Sequence, residues 1–290
     1  MKKTEENEIA ICCMSGGYKN VFAHGVLQAF EENGLRAKVY AACSSSTLIA
    51  AYAAINRVKL LDLSLWNDGY ITSQKYGNQS EAMLQSIQML SSEIKNNLWK
   101  PDASRLLIAT SFVKTEAAAI VVQSGSAKRQ GQMLLINALR HKPDWKDENL
   151  ELHVFDTQGS EKVLTKDNFD EVAYATTRML HAWNIPAMIN KQAYVDGNYT
   201  SLCPVAILAG LGYKKILCIS TEKEHIAYHL FSDEVIPSKI NDSVIEFIKP
   251  DCELKDMGVD FYTIAENGLD KVYNHGYEKG NDYIKKTKFK

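Results

Sequence analysis

Twice between Ile9 and Ile55 the chain passes from a strand-length apolar run, through a few small residues, straight into a helical pattern. Ile9 to Met14 reads as a buried strand and Ser15-Gly16-Gly17 breaks it. Phe22, Val26, Ala29 and Phe30 then fall on one helical face, and Asn33-Gly34 supplies a stop. Lys38 to Cys43 is a second strand, which runs without a spacer into an Ala- and Leu-rich helical stretch from Ser45 to Ile55. Further strands are expected at Leu106 to Ser111, Ala117 to Val122, Leu150 to Phe155 and Lys215 to Ser220. Helices are expected near Glu81 to Lys95, Gly131 to Arg140, Pro204 to Leu211 and Ile264 to Lys285. This alternation predicts an α/β fold, three-layered α/β/α, with a mostly parallel central sheet. No repeat, Pro-rich linker or charge block divides the 290 residues, so residues 1–290 are read as one domain.

Parallel sheets place their sites at the carboxyl ends of strands, which directs attention to the loops after Met14 and Cys43. The first, Ser15-Gly16-Gly17-Tyr18-Lys19-Asn20, lets backbone N–H groups face free space at a helix start, a ready oxyanion or anion site. It matches neither nucleotide-binding glycine pattern. The second, Ala42-Cys43-Ser44-Ser45-Ser46, forces a sharp turn whose apex side chain projects outward. A serine at that apex is a nucleophile elbow, and the residues two before and two after must be small. Read alone, the segment is more often a Ser-rich helix cap. A serine nucleophile needs a base, and Asp196 in Tyr194-Val195-Asp196-Gly197 is the candidate, against a plain Asp-Gly turn.

In order and spacing these segments resemble the patatin-like phospholipase family. The glycine loop is followed by His24-Gly25-Val26-Leu27, the elbow takes the place of G-x-S-x-G, Ala173 to Pro186 resembles the family's third block, and Tyr194 to Gly197 with Pro204 resembles the last. The resemblance implies a serine acyl hydrolase of lipid esters, with Ser44 as nucleophile and Asp196 as base. It places Gly16, Gly17 and Lys19 at the oxyanion hole, with Ser45 N–H as a further donor, and requires no metal or cofactor. Ser15, Asn20, Ala42 and Ser46 stand where the family has glycine. An alternative is therefore a weakly active or inactive protein of this fold that binds a lipid or a partner. Thioesterase and acyl-transferase chemistry would use the same dyad.

Several other residues carry competing readings. Cys43 alternates to the opposite face of its strand from Ser44 and should point into the sheet core. Ser45 and Ser46 are expected to cap the following helix. His24 is read as structural; His225 and His229 as a surface pair on one helix face without the zincin Glu; and Arg178 as a head-group contact or a surface ion pair. Leu60 to Trp66 and Ala82 to Leu90 form a lid or acyl groove, or pack in the core. A net charge of -2 argues against a nucleic-acid partner, and leaves an acyl-ester substrate with peripheral membrane contact possible. Six cysteines without a C-x-x-C pair suggest a reducing compartment. The mixed-charge N-terminus, and apolar runs far short of roughly 20 residues, predict a cytoplasmic protein without leader or membrane anchor.

Overall fold

The structure, a computed structural model, describes residues 9–288; the expectation of a leaderless N-terminus falls on residues 1–8, outside them. In chain order the elements are β1 (Ile9–Cys13), α1 (Val21–Glu32), β2 (Val39–Cys43), α2 (Thr47–Ala54), α3 (Ser64–Tyr76), α4 (Ser80–Asn97), β3 (Arg105–Val113), α5 (Glu116–Val122), α6 (Ala127–Leu139), α7 (Asp144–Asn149), β4 (Leu150–Asp156) and α8 (Phe169–Ala175). They continue with β5 (Met188–Ile189), β6 (Gln192–Val195), α9 (Val205–Gly210), β7 (Lys215–Ile219), β8 (Lys239–Ile240), β9 (Ser243–Ile248) and α10 (Gly268–Lys288).

Five strands, ordered β3-β2-β1-β7-β9, pair in parallel and form the middle of the sheet. Antiparallel strands are added at its margins. Period-two alternation divides the strand side chains between two cores. Ile11, Cys13, Tyr40 and Ala42 face a large core built with α1, α2, α4 and α10. Ala10, Cys12, Val39 and Ala41 face the opposite side, where α9 packs. The fold is thus mixed α/β with a mostly parallel central sheet and helices on both faces. Phe22, Val26 and Phe30 are fully buried, and each contributes about 1.5–3 kcal/mol of burial to docking α1. Among the described residues no helix is long and apolar enough to cross a membrane.

β3 sets the position of everything that follows. Its first half pairs with β2, with Cys43 opposite Ala109. Its second half pairs with β6, with Val195 opposite Ser111. β4 occupies the other edge from Leu107 to Val113, so β2 and β6 lie end to end along the same edge. The residue after β2 and the residue after β6 therefore converge beside Thr110.

Several features differ from the sequence reading. Ala117 to Val122 is helical, not extended. The Thr115 side chain accepts from Ala118 N–H at 3.3 Å and caps α5, and the alanines at the start of that helix outweigh the β-branched residues at its end. α10 begins at Gly268 rather than Ile264, because Ile264 is bridged to Val259 across a tight turn. β9 was not foreseen, and no helix carries His225 and His229.

Candidate active site

β2 ends at Cys43 and α2 begins at Thr47, so the chain reverses in the single turn Ser44–Ser46. Ser44 takes the left-handed conformation, φ 55°, which costs a non-glycine residue about 1–3 kcal/mol and survives only where its surroundings over-determine it. Here they do. Ser44 N–H donates to Thr176 Oγ1 at 2.9 Å, and that hydroxyl donates to Ala109 O at 2.6 Å. The Ser46 hydroxyl does not cap α2. It turns back to the strand ends, shared between Cys13 O (2.9 Å) and Cys43 O (2.8 Å), and accepts from Cys43 N–H. The residue standing in place of the second elbow glycine thus staples β1 to β2. Ala42 is fully buried in the large core.

Asp196 arrives from the end of β6. Its Oδ2 accepts from Ser44 Oγ at 3.0 Å, and its Oδ1 accepts from Asn198 N–H at 2.8 Å. Its backbone is held from three sides: Asp196 N–H donates to Arg178 O, Gly197 N–H to Thr176 O, and Ser111 Oγ to Asp196 O. Gly197 is required because a Cβ there would lie 2.4 Å from Ala109 O and 2.7 Å from Cys43 Sγ. Burial pushes the Asp196 carboxyl up from 3.8 to about 8, against the pull of the Asn198 and Ser44 hydrogen bonds. Cys43 is fully buried, with its Sγ toward Asn198 Oδ1 at 3.3 Å, and burial, then the Asp196 charge, pushes its thiol well up. It carries little thiolate and supports the turn that bears Asp196.

Ser44 and Ser45 lie on the wall of a cleft that also meets Gly17. The rest of the wall is mostly apolar, with Leu48 and Ile49 from α2, Leu65 and Trp66 from α3, Ala82 and Met83 from α4, and Trp183, Phe261 and Tyr262 from loops. The stretches read as lid or groove thus supply much of one side. His24 stays structural: its Nδ1 accepts from Trp66 Nε1 at 3.2 Å, and burial pulls it down to about 4.

The oxyanion residues expected from the sequence separate into two groups. Gly17 lines the cleft with φ 59°, and a Cβ there would strike Phe261 O at 2.2 Å. Among the described residues its N–H and that of Ser45 meet no acceptor, which leaves two donors beside Ser44. Gly16 N–H is taken. Asn20, oriented as its hydrogen-bond network requires, accepts from Gly16 N–H at 3.0 Å and from Ser45 Oγ at 2.7 Å, while donating to Met14 O at 3.0 Å. Lys19 does not line the cleft and is ion-paired with Glu222.

Thr176 and Asn20 were not identified from the sequence as site residues. The first lies in the Ala173 to Pro186 segment, and the second was noted only as a missing glycine. Arg178 is neither a head-group contact nor a surface ion pair. It is buried, with Nε on Ile185 O and Nη2 on Val122 O, both at 2.7 Å. Away from the cleft, the sulfurs of Cys12, Cys203 and Cys218 lie within 4.8 Å of one another, the one such group of potential metal ligands among the described residues. They pack as buried thiols in the α9-side core. No protein-family model matches the chain, and no curated protein matches it.

Proposed function

We propose that the protein is a serine acyl hydrolase of the patatin-like kind, cleaving carboxylic esters of lipids with a Ser44–Asp196 dyad. One observation carries this reading. A serine in strained left-handed geometry at a strand-to-helix turn has its hydroxyl 3.0 Å from a fully buried carboxylate, at the wall of an apolar cleft. Strain of this kind, held by hydrogen bonds on both sides, is what an elbow needs to present its nucleophile.

The reaction follows from these parts. Asp196, as the carboxylate, takes the hydroxyl proton while Ser44 Oγ bonds to the ester carbonyl carbon. The negative charge that develops on the carbonyl oxygen is received by the Gly17 and Ser45 N–H groups, each worth about 3–4 kcal/mol when aimed at an oxyanion. Collapse breaks the bond to the alcohol, which leaves with the proton held by Asp196. Water, deprotonated by the same carboxylate, then bonds to the acyl carbon, and the bond to Ser44 Oγ breaks as Asp196 returns the proton to Ser44, which frees the acid. The apolar wall holds the acyl chain. A buried base raised to about 8 is strong when ionised, yet it is mostly protonated at neutral pH, so turnover should favour alkaline conditions. A fluorophosphonate probe tests the reading: it should label wild type and leave Ser44→Ala unlabelled, and equal labelling would overturn it. A second reading, a lipid-binding protein of the same fold with little turnover, draws on Asn20, which occupies one of the expected oxyanion donors.

A further inference from the structure

α6 buries Ala127, Gly131, Leu134 and Ala138 against the core under β3 and β6. Its opposite side exposes Met133, Ile136 and Leu139, three apolar residues at helical spacing, with Leu139 83% exposed. α5, packed beside it, leaves Ile120 outward as well. Between Glu116 and Asp144 the sequence has no acid and four cations, Lys128, Arg129, Arg140 and Lys142. All four are exposed, and among the described residues none is in an ion pair. In a chain of net charge -2, a local excess of +4 around an apolar stripe is a strong asymmetry.

We propose that this outward face of α6 is the surface by which the protein sits on an anionic lipid bilayer. The stripe reaches the acyl boundary, and the cations at its two ends meet the head-group phosphates. An apolar centre argues against nucleic acid, and Lys128, Arg129, Arg140 and Lys142, with Asp233 taken up by His141, supply a net positive rim that complements an anionic leaflet. The face is also joined to the cleft. Gly131 packs so closely on Leu180 and His181 that a Cβ would lie 2.3 Å from His181 N, and the same segment delivers Trp183 to the cleft wall two residues later. A bilayer held at α6 is therefore held against the structural neighbour of the cleft. What the surface serves rests on the acyl-hydrolase reading; whether it binds lipid does not.

The test is cosedimentation with vesicles of phosphatidylcholine alone and of phosphatidylcholine mixed with phosphatidylglycerol. The full chain should bind the mixed vesicles, bind the neutral ones poorly, and be released by added salt. Ile136→Asp with Leu139→Asp, and separately Arg129→Glu with Arg140→Glu, should each weaken binding at least about tenfold. Turnover of a water-soluble ester should be unchanged in both, which also shows that they fold. Ser44→Ala should bind as wild type does, so an inactive dyad and an absent lipid surface are told apart. Equal binding to both vesicle types, or unaltered binding by both double variants, overturns the proposal. So does a wild-type dimer in solution that Leu139→Asp converts to monomer without change in vesicle binding, since a second copy would then be what covers the face.

Discussion

Replacing Asp196 by Asn should abolish hydrolysis and yet stabilise the protein, increasingly so as the pH rises. The side chain is fully buried, and burial raises its carboxyl from 3.8 to about 8. Between those values the folded state keeps a proton that the unfolded state has released. Stability therefore falls with pH across that window, by about 1.4 kcal/mol per pH unit from this group. The contribution is intact below pH 4 and fully lost above pH 8, a total on the order of 5 kcal/mol. Asn removes the ionisation and keeps the contacts. Its amide oxygen accepts from Asn198 N–H, and its amine faces Ser44 Oγ, which turns to accept. Urea unfolding of wild type and variant at matched pH isolates the effect, because every other group cancels in the difference. The gap should be small near pH 4 and open by several kcal/mol in the variant's favour by pH 9. A gap that does not change with pH, or that opens the other way, would refute the claim that burial of this carboxylate is costly.

Two further outcomes follow from the same geometry. For a soluble ester, kcat/KM should climb with pH and level off above about 8, because only ionised Asp196 accepts the Ser44 proton; a flat profile from pH 6 to 9 would count against Asp196 as base. Thr176→Val should leave Ser44 N–H and Ala109 O unpaired, lowering stability by about 2–4 kcal/mol and kcat by on the order of a hundredfold, whereas Thr176→Ser keeps both bonds and should restore both. Urea midpoints and steady-state kinetics on the two variants decide it.

The parts of the site that depend on local sterics were legible in the sequence. Small residues around Ser44 announced a tight turn, and Asp-Gly after Val195 announced another. What brings the two together was not legible. Ser44 and Asp196 meet because two separate strands share one edge of β3, and register is a property of pairing across the chain. The same limit explains Lys19. A cation beside a glycine loop reads as an anion partner until Glu222, past the end of β7, neutralises it. Ser46 reads as a helix cap because its neighbours follow a capping pattern. Its hydroxyl goes instead to Cys13 O, an acceptor supplied by the adjacent strand. Ala117 to Val122 failed for a different reason: a run of β-branched residues at one end outweighed the Thr115 cap at the other. The alternating cores on either side of β1 and β2 needed only period two, and there pattern and structure agree.

The chain leaves β3 at Val113, makes α5, α6 and α7, and rejoins the same strand at Leu150, directly opposite its point of departure. That excursion is a closed loop hung from one strand, whose inner face packs on Leu180 and Val195 while its outer face touches neither Ser44 nor Asp196. Such a design separates two rates of change. The loop's outward surface is free to alter as the environment it faces changes, while its inner face and the strand that aligns the two reactive side chains stay as they are. Replacing only the outward residues of α5 and α6, such as Ile120, Met133, Ile136 and Leu139, is accordingly the natural way to retarget this scaffold without disturbing the Ser44–Asp196 pair.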